Sequence, residues 1–225
     1  STKLNGDMRA VGEEIRFVRE ESDRLGLEFE TLLEQYTRFV NNVPVGSLNL
    51  DQIRFTFTGI AEASRAAGLG TQDVESVFVA LGQIASKGAV QLEELRQQLG
   101  ERIPAAIENT AKGLTEMTGE LVTTEELLER INRGEVSSNA IVALAQSLRE
   151  EFGPALSTAL DSPLAALSRF RNTLFDIRME IANSGFIGVL TQGLEELNNE
   201  MRTPEFRDGM QSFASALTGV VQFGV

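Results

Sequence analysis

The chain has 225 residues, 42% of them hydrophobic, 33 acidic against 20 basic side chains for a formal net charge of -13, and neither cysteine nor histidine. That content can bury a core in one large or two small domains, while the acidic balance excludes a phosphate-tracking nucleic-acid binder and disfavours an anionic membrane surface. Lacking Cys and His, the chain has no disulfides, no thiolate chemistry, none of the common transition-metal ligand sets and no Ser-His or Cys-His catalysis, which leaves oxygen-ligand metal sites or carboxylate chemistry.

Residues 1–23 are polar and lack the apolar core and cleavage site of a signal peptide. No stretch approaches the ~20 consecutive apolar residues that a bilayer requires. The chain starts without methionine and stops in an apolar run, residues 213–225, as expected of a piece of something longer.

The first predicted helix, residues 7–25, carries Met8, Val11, Ile15, Val18 and Leu25 on one face, and Gly26 breaks the chain before a second with Phe29, Leu32, Leu33, Tyr36, Phe39 and Val40. Residues 41–49, with Pro44 and Gly46, form the clearest loop. Asn49 caps a third helix with the stripe Ile53, Phe57, Ile60 and Ala61, although Phe55 and Phe57, two apart, also permit a short strand. Residues 68–107 are the densest in local signals. Thr71 is placed to cap a helix bearing Val74, Val77, Phe78, Leu81, Ile84 and Ala85, which Lys87 and Gly88 end. In residues 90–99, Leu92, Leu95 and Leu99 share a face and Glu93, Glu94, Arg96 and Gln97 lie elsewhere; Gly100 closes this helix and Pro104 starts the next.

That next helix continues through Lys112. Thr123 with Glu126 forms a capping box ahead of Leu127, Leu128 and Ile131, and Asn132-Arg133-Gly134 is a stop. Ser137 or Ser138 caps a helix with Ile141, Leu144, Ala145, Leu148 and Phe152 inward, ended by Gly153-Pro154. Ser162-Pro163 opens the longest helix of the second half, with a stripe of Leu164, Leu167, Phe170, Leu174, Ile177 and Ile181 ending at Asn183-Ser184-Gly185. Residues 186–200, with Leu190, Leu194 and Leu197, and a last helix from Thr203-Pro204 through Phe206, Met210, Phe213, Leu217, Val220 and Val221 complete the pattern. The expected fold is all-α: a mostly antiparallel bundle of about ten helices broken by Gly/Pro turns, without a sheet. No heptad persists for the three or four repeats of a coiled coil. One continuous helix of this length would reach about 340 Å at 1.5 Å per residue, and the 20 glycines rule out such a rod.

Ser86-Lys87-Gly88, Glu93-Glu94-Leu95-Arg96, Gln98-Leu99-Gly100-Glu101-Arg102 and Pro104-Ala105-Ala106 closely resemble the segment shared by tape measure proteins of long-tailed bacteriophages. Phe17-Val18-Arg19-Glu20-Glu21, Arg24-Leu25-Gly26-Leu27, Tyr36, Gly134-Glu135-Val136 and residues 148–153 extend the resemblance over roughly residues 10 to 185. Ala105 departs from it, since the family usually has glycine after the proline. The resemblance implies a structural, non-enzymatic component of a virion tail, made in the bacterial cytoplasm. It also implies that the protein lies in the tail lumen, helps set tail length, and contacts copies of itself and tail tube, distal tail or tip-hub proteins. No cofactor is implied. Motif and interaction candidates are Lys87, Gly88, Glu94, Leu95, Arg96, Gln98, Leu99, Gly100, Arg102 and Pro104. The expected division is residues 1–112, a continuation over 113–185, and a C-terminal amphipathic region 186–225.

Acidic doublets at Glu13-Glu14, Glu20-Glu21, Glu93-Glu94, Glu125-Glu126, Glu150-Glu151 and Glu195-Glu196 fit solvated or interface faces, because adjacent helical residues point about 100° apart and make no catalytic pair. Arg96 and Arg102 fit partners for neighbouring acids better than anion ligands. No Walker loop, dinucleotide fingerprint or EF-hand loop is present. The alternative to a tail component is an all-helical adaptor or assembly chaperone that binds partner helices, with a carboxylate hydrolase a distant third.

Overall fold

In the computed structural model the described residues are 8–183 with the isolated positions 195, 196, 199, 202–204, 208 and 209. They form α1 (Met8–Leu25), α2 (Phe29–Asn42), α3 (Leu50–Ala66), α4 (Thr71–Lys87), a π-helix (Glu93–Leu99), α5 (Ala106–Thr118), α6 (Thr124–Asn132), α7 (Ala140–Leu160) and α8 (Pro163–Asn183). Among the described residues there is no strand, only one isolated bridge between Ala89 and Ser137. The all-α expectation holds, and the strand reading of Phe55 and Phe57 is replaced by α3. The helices expected over 186–200 and beyond Thr203-Pro204 lie outside the described residues, isolated positions apart, as does the apolar end 213–225. Residues through Asn172 form one compact unit and those from Thr173 a second.

Helix α3 is the centre of the first unit. The capping box that opens it joins the Asn49 side chain to the Gln52 N–H at 2.8 Å and the Gln52 side chain to the Asn49 N–H at 3.0 Å. Every residue from 56 to 65 is buried. A helix with Gly59, Ala61, Ala63 and Ser64 on its faces lets neighbours approach its backbone, and α7 does so: a Cβ added at Gly59 would lie 2.9 Å from the Ala145 carbonyl oxygen. Helix α5 uses the same device from another side. A Cβ at Gly113 would lie 2.1 Å from the Ala143 carbonyl oxygen, so α5 runs through Gly113 to Thr118 and that glycine marks a helix crossing. The aromatic core joins four helices: Phe17 and Tyr36 have ring centroids 5.5 Å apart, Tyr36 and Phe57 4.9 Å, and Phe57 and Phe78 4.4 Å.

Several local expectations are corrected. Gly70, not Thr71, takes the extended N-cap conformation of α4, and its carbonyl accepts from the Val74 N–H. The Thr123 hydroxyl accepts from the Glu126 N–H at 3.2 Å, but the Glu126 carboxylate turns to Arg130, which leaves half a capping box. Asn139 stands at the N-cap of α7 without a side-chain bond, while Ser137 accepts from its N–H and the Ser138 N–H donates to the Gly88 carbonyl. Helix α7 passes through Gly153-Pro154 to Leu160. The proline leaves the Glu150 carbonyl without its helical donor, which is tolerated here because Glu150 is exposed and water can reach that carbonyl. On α1 the buried face is Glu14, Val18, Ser22 and Leu25, whereas Met8 and Ile15 are exposed.

Helix α8 departs furthest. Its cap is as expected, with the Ser162 hydroxyl accepting from the Ala165 N–H at 3.2 Å. Its stripe is not inward: Leu164, Leu167, Phe170, Leu174, Ile177 and Ile181 are all exposed, Phe170 by 58%. The buried side chains are Ala165, Ser168 and Asn172, one small and polar stripe on another face.

Candidate interaction site

The motif of residues 87–105 begins where α4 ends. Gly88 has φ of 73°, a left-handed conformation that a β-branched residue adopts only with strain, and it turns the chain so that Val90 can donate to the Val136 carbonyl at 2.8 Å. The π-helix follows. Its widened turn brings Glu94, Leu95 and Leu99 all inside, which explains why the 3.6-residue period placed Glu94 outside. Glu94 is 1% exposed, and Lys87 supplies its counter-charge across the turn. Glu14 and Glu94 are thus buried members of doublets expected to be solvated. A buried carboxylate is retained only where cations or donors meet it.

At the far end of the π-helix, Arg102 donates to the Gln98 carbonyl at 3.0 Å and lies 3.5 Å from the Asp73 carboxylate in the first turn of α4. Gly100 has φ of -67°, so its role is room: a Cβ there would lie 2.7 Å from the Arg96 carbonyl oxygen. Ala105 is the non-glycine residue with positive φ among the described residues, at 61°. Asn109 holds the strained turn, donating to the Ala105 carbonyl from its backbone at 2.8 Å and from its side chain at 3.0 Å, while its own oxygen accepts from Ser147 at 2.7 Å. The structure therefore brings Lys87 to Glu94 and Arg102 to Gln98, sinks Leu95 and Leu99 in the core, and leaves Arg96 and Pro104 at the surface. Most of the motif builds the α4–α5 connection, with Lys87, Gly88, Arg96 and Pro104 exposed and Gln98, Gly100 and Arg102 partly so.

The longest-range polar cluster lies at the α1–α2 corner. Gly26 has φ of 61° in a helix-ending motif in which the Leu27 N–H donates to the Ser22 carbonyl at 2.9 Å and the Gly26 N–H to the Asp23 carbonyl at 3.4 Å. The carbonyls at the negative end of α1 meet two guanidiniums. Arg65, buried in α3, donates to the carbonyls of Leu25 at 2.8 Å and of Gly26, and Arg169 of α8 donates to those of Asp23 at 2.9 Å and Arg24 at 3.1 Å. Burial first, then the neighbouring charge of Arg169, pushes the Arg65 pKa down from its usual value. Asn172 of α8 accepts from the Phe29 N–H at 2.9 Å and donates to the Leu27 carbonyl at 3.0 Å. It caps α2, whose own N-cap residue Glu28 makes no side-chain capping bond. Arg65, Arg169 and Asn172 were not among the sequence candidates. The recoverable signal was Ala165, Ser168 and Asn172 at three- and four-residue steps, a second stripe on a helix that already had one.

A further cluster joins α1 to α2 and α3. Tyr36 donates to Glu14, and Arg54 pairs with the same carboxylate. Burial, followed by the bond to Glu14, holds the Tyr36 phenol well above its ordinary pKa. A cavity of about 140 Å³ opens beside them, lined by Val11, Ile15, Leu33 and Val40. Both oxygens of Glu14 accept from these donors, so the cluster ties α1 to α2 and α3. Among the described residues no three acidic side chains gather to hold a metal ion, and no helix is long and apolar enough to cross a membrane.

Comparison with known proteins agrees with the motif. The family model described as tape measure protein matches residues 2–183. A protein of Salmonella phage Felix O1 (isolate Felix O1-VT1), described as a probable tape measure protein, is 30% identical over 98 residues, which are 44% of this chain and 13% of that relative. No solved structure matches.

Proposed function

The chain belongs to the tape measure protein family, and from that premise we propose that it is a domain that lies in the lumen of a phage-type tail, helps set tail length, and contacts copies of itself and tail tube or tip proteins. The observation that supports this reading is the outward stripe of α8. In the first unit Leu164, Leu167 and Phe170 form an exposed apolar row at three-residue steps on α8, and in the second Leu174, Ile177 and Ile181 are exposed as well. Monomeric proteins rarely leave such a row in water, and proteins that assemble use it. The excess of acids over bases, -13 in net charge, fits a partner list of proteins and weak adhesion to the DNA that passes through the same lumen.

Cryo-electron microscopy of purified tails tests this directly: helical density in the lumen that accommodates residues 8–183 supports the reading. In-frame deletions elsewhere in the full-length protein should shorten the tail in proportion to the residues removed. A tail of unchanged length, with no such density, would sink the proposal and favour an adaptor or assembly chaperone.

A further inference from the structure

Residues 163–172 bury one hydrophobic side chain, that of Ala165, while Leu164, Leu167 and Phe170 remain exposed. What holds this segment is polar and concentrated. Arg169 donates to the carbonyls of Asp23, Arg24 and Leu160, Asn172 bonds to Phe29 and Leu27 and reaches the Asp23 carboxylate at 3.1 Å, and Arg171 pairs with Glu28. We propose that the first three turns of α8, residues 163–172, are a releasable strap, docked on the α1–α2 corner by these contacts and able to leave it while α1–α7 stay folded.

Three observations carry this. First, the turn that ends α1 is closed without α8: the bonds from Leu27 to Ser22 and from Gly26 to Asp23 are made within it, and Arg65 caps the Leu25 and Gly26 carbonyls from α3. Second, release exchanges the Arg169 bonds to Asp23 and Arg24 for bonds to water at reachable positions, and leaves the Leu27 carbonyl and the Phe29 N–H as the two buried groups that lose a partner. Asp23 and Arg24 are exposed, so water can take over their carbonyls, and such an exchange costs far less than uncovering apolar surface of similar extent. Third, Arg169 brings a second cation close to the buried Arg65, and its departure removes that repulsion. The fit is nonetheless specific. A Cβ on Gly26 would sit 2.6 Å from the Ala165 Cβ, so the strap seats on bare backbone and tolerates nothing larger than alanine there.

The strap concerns a conformational equilibrium of this chain alone, so its test stands or falls apart from the tail role proposed above. Native-state hydrogen exchange of the purified chain should show the amides of residues 166–172 exchanging at least ~10-fold faster than those of α3 residues 57–61, because an undocked helix of this length protects its amides poorly. Ala165→Glu, which jams the seat against Gly26 from the α8 side, should accelerate the strap amides by at least another ~10-fold and leave the α3 amides within ~2-fold. Asn172→Ala should accelerate the strap and the Phe29 amide together. Equal exchange of strap and α3 in the unmodified chain, or equal acceleration of both in either variant, would show that α8 leaves only when everything unfolds. Should Ala165→Glu fail to fold at all, the proposal is overturned on that ground too, since the body was to be independent of the seat.

Discussion

Helices α5 and α7 meet where Gly113 lets two backbones touch, and α8 meets the α1–α2 corner where Gly26 does the same, yet the two contacts differ in kind. Between α5 and α7, buried Ala106, Ala111, Ala143 and Leu144 make an apolar seam, beside which Asn109 accepts from Ser147 and donates to Glu151. At the corner the side chains are Arg169, Asn172 and Ser168 beside Ala165, while Leu164, Leu167 and Phe170 are exposed. Apolar periodicity therefore states that a helix has a face, without stating which face meets the body. Close approach of small residues, backed by groups that satisfy exposed main-chain ends, decides the second question.

The sharpest way to break this comparison is Gly113→Val. A side chain forced to 2.1 Å from a carbonyl oxygen must push α5 off α7, and the urea midpoint should drop by the equivalent of ~3 kcal/mol or more. A loss below ~1 kcal/mol would mean that the crossing is loose and resembles the corner after all.

Alkaline titration probes the interior next. Tyr36 is the chain's one tyrosine and is buried, so its ionisation reports directly on the folded state. Its pKa is raised by burial, so the neutral phenol favours folding below the unfolded-state value of about 10, and above it the folding equilibrium should weaken by up to about tenfold per pH unit. Tyr36→Phe should remove that slope; phenolate absorbance appearing near pH 10 with ellipticity unchanged would contradict it.

Gly88→Val tests a turn with φ of 73° and open space around it, where strain alone acts. It should cost more than the ~1 kcal/mol of an ordinary glycine position, read as a lower melting temperature. Ala105→Gly should work in the opposite direction. The left-handed conformation costs alanine about 1 kcal/mol, glycine's greater freedom in the unfolded chain returns part of it, and a net gain of ~0.5 kcal/mol is expected. The smallest effect belongs to the outward stripe: Phe170→Ser should leave the monomer's stability within ~0.5 kcal/mol while weakening self-association in sedimentation velocity. A large loss of monomer stability would place Phe170 in a packed interface and dissolve the contrast between the two regions.

Much of this was legible in the sequence. The spans of α1 to α4, the Asn49 cap, the stop at Gly88 and the start at Ser162-Pro163 follow from local rules, because caps and left-handed glycines act within a few residues of themselves. The π-helix was not legible, since its wider turn departs from the period used to assign faces, and that moved Glu94 from the outside to a buried ion pair with Lys87. Gly153-Pro154 misled because α7 runs on through a proline whose orphaned carbonyl lies on an exposed residue, where water can reach it. Of the motif, Lys87, Glu94 and Arg102 found partners nearby, whereas Arg65, Arg169 and Asn172 reach partners 39 to 149 residues away, and the stripe of Ala165, Ser168 and Asn172 is their one local trace.

The cap on α2 comes from a residue 143 positions later in the chain. At a synthesis rate of about 5–20 residues per second, the Phe29 N–H waits about 7–30 s on the ribosome before Asn172 exists to accept from it. The Schellman turn and Arg65 complete the corner about 40 residues after Leu25, so α1 to α3 can assemble early with one amide still hydrated. Of the pieces that build this corner, the one made last is also the one that seats on finished backbone. Nascent chains arrested after residue 160 should therefore already protect the α3 amides, and extension past residue 172 should add protection at residue 29.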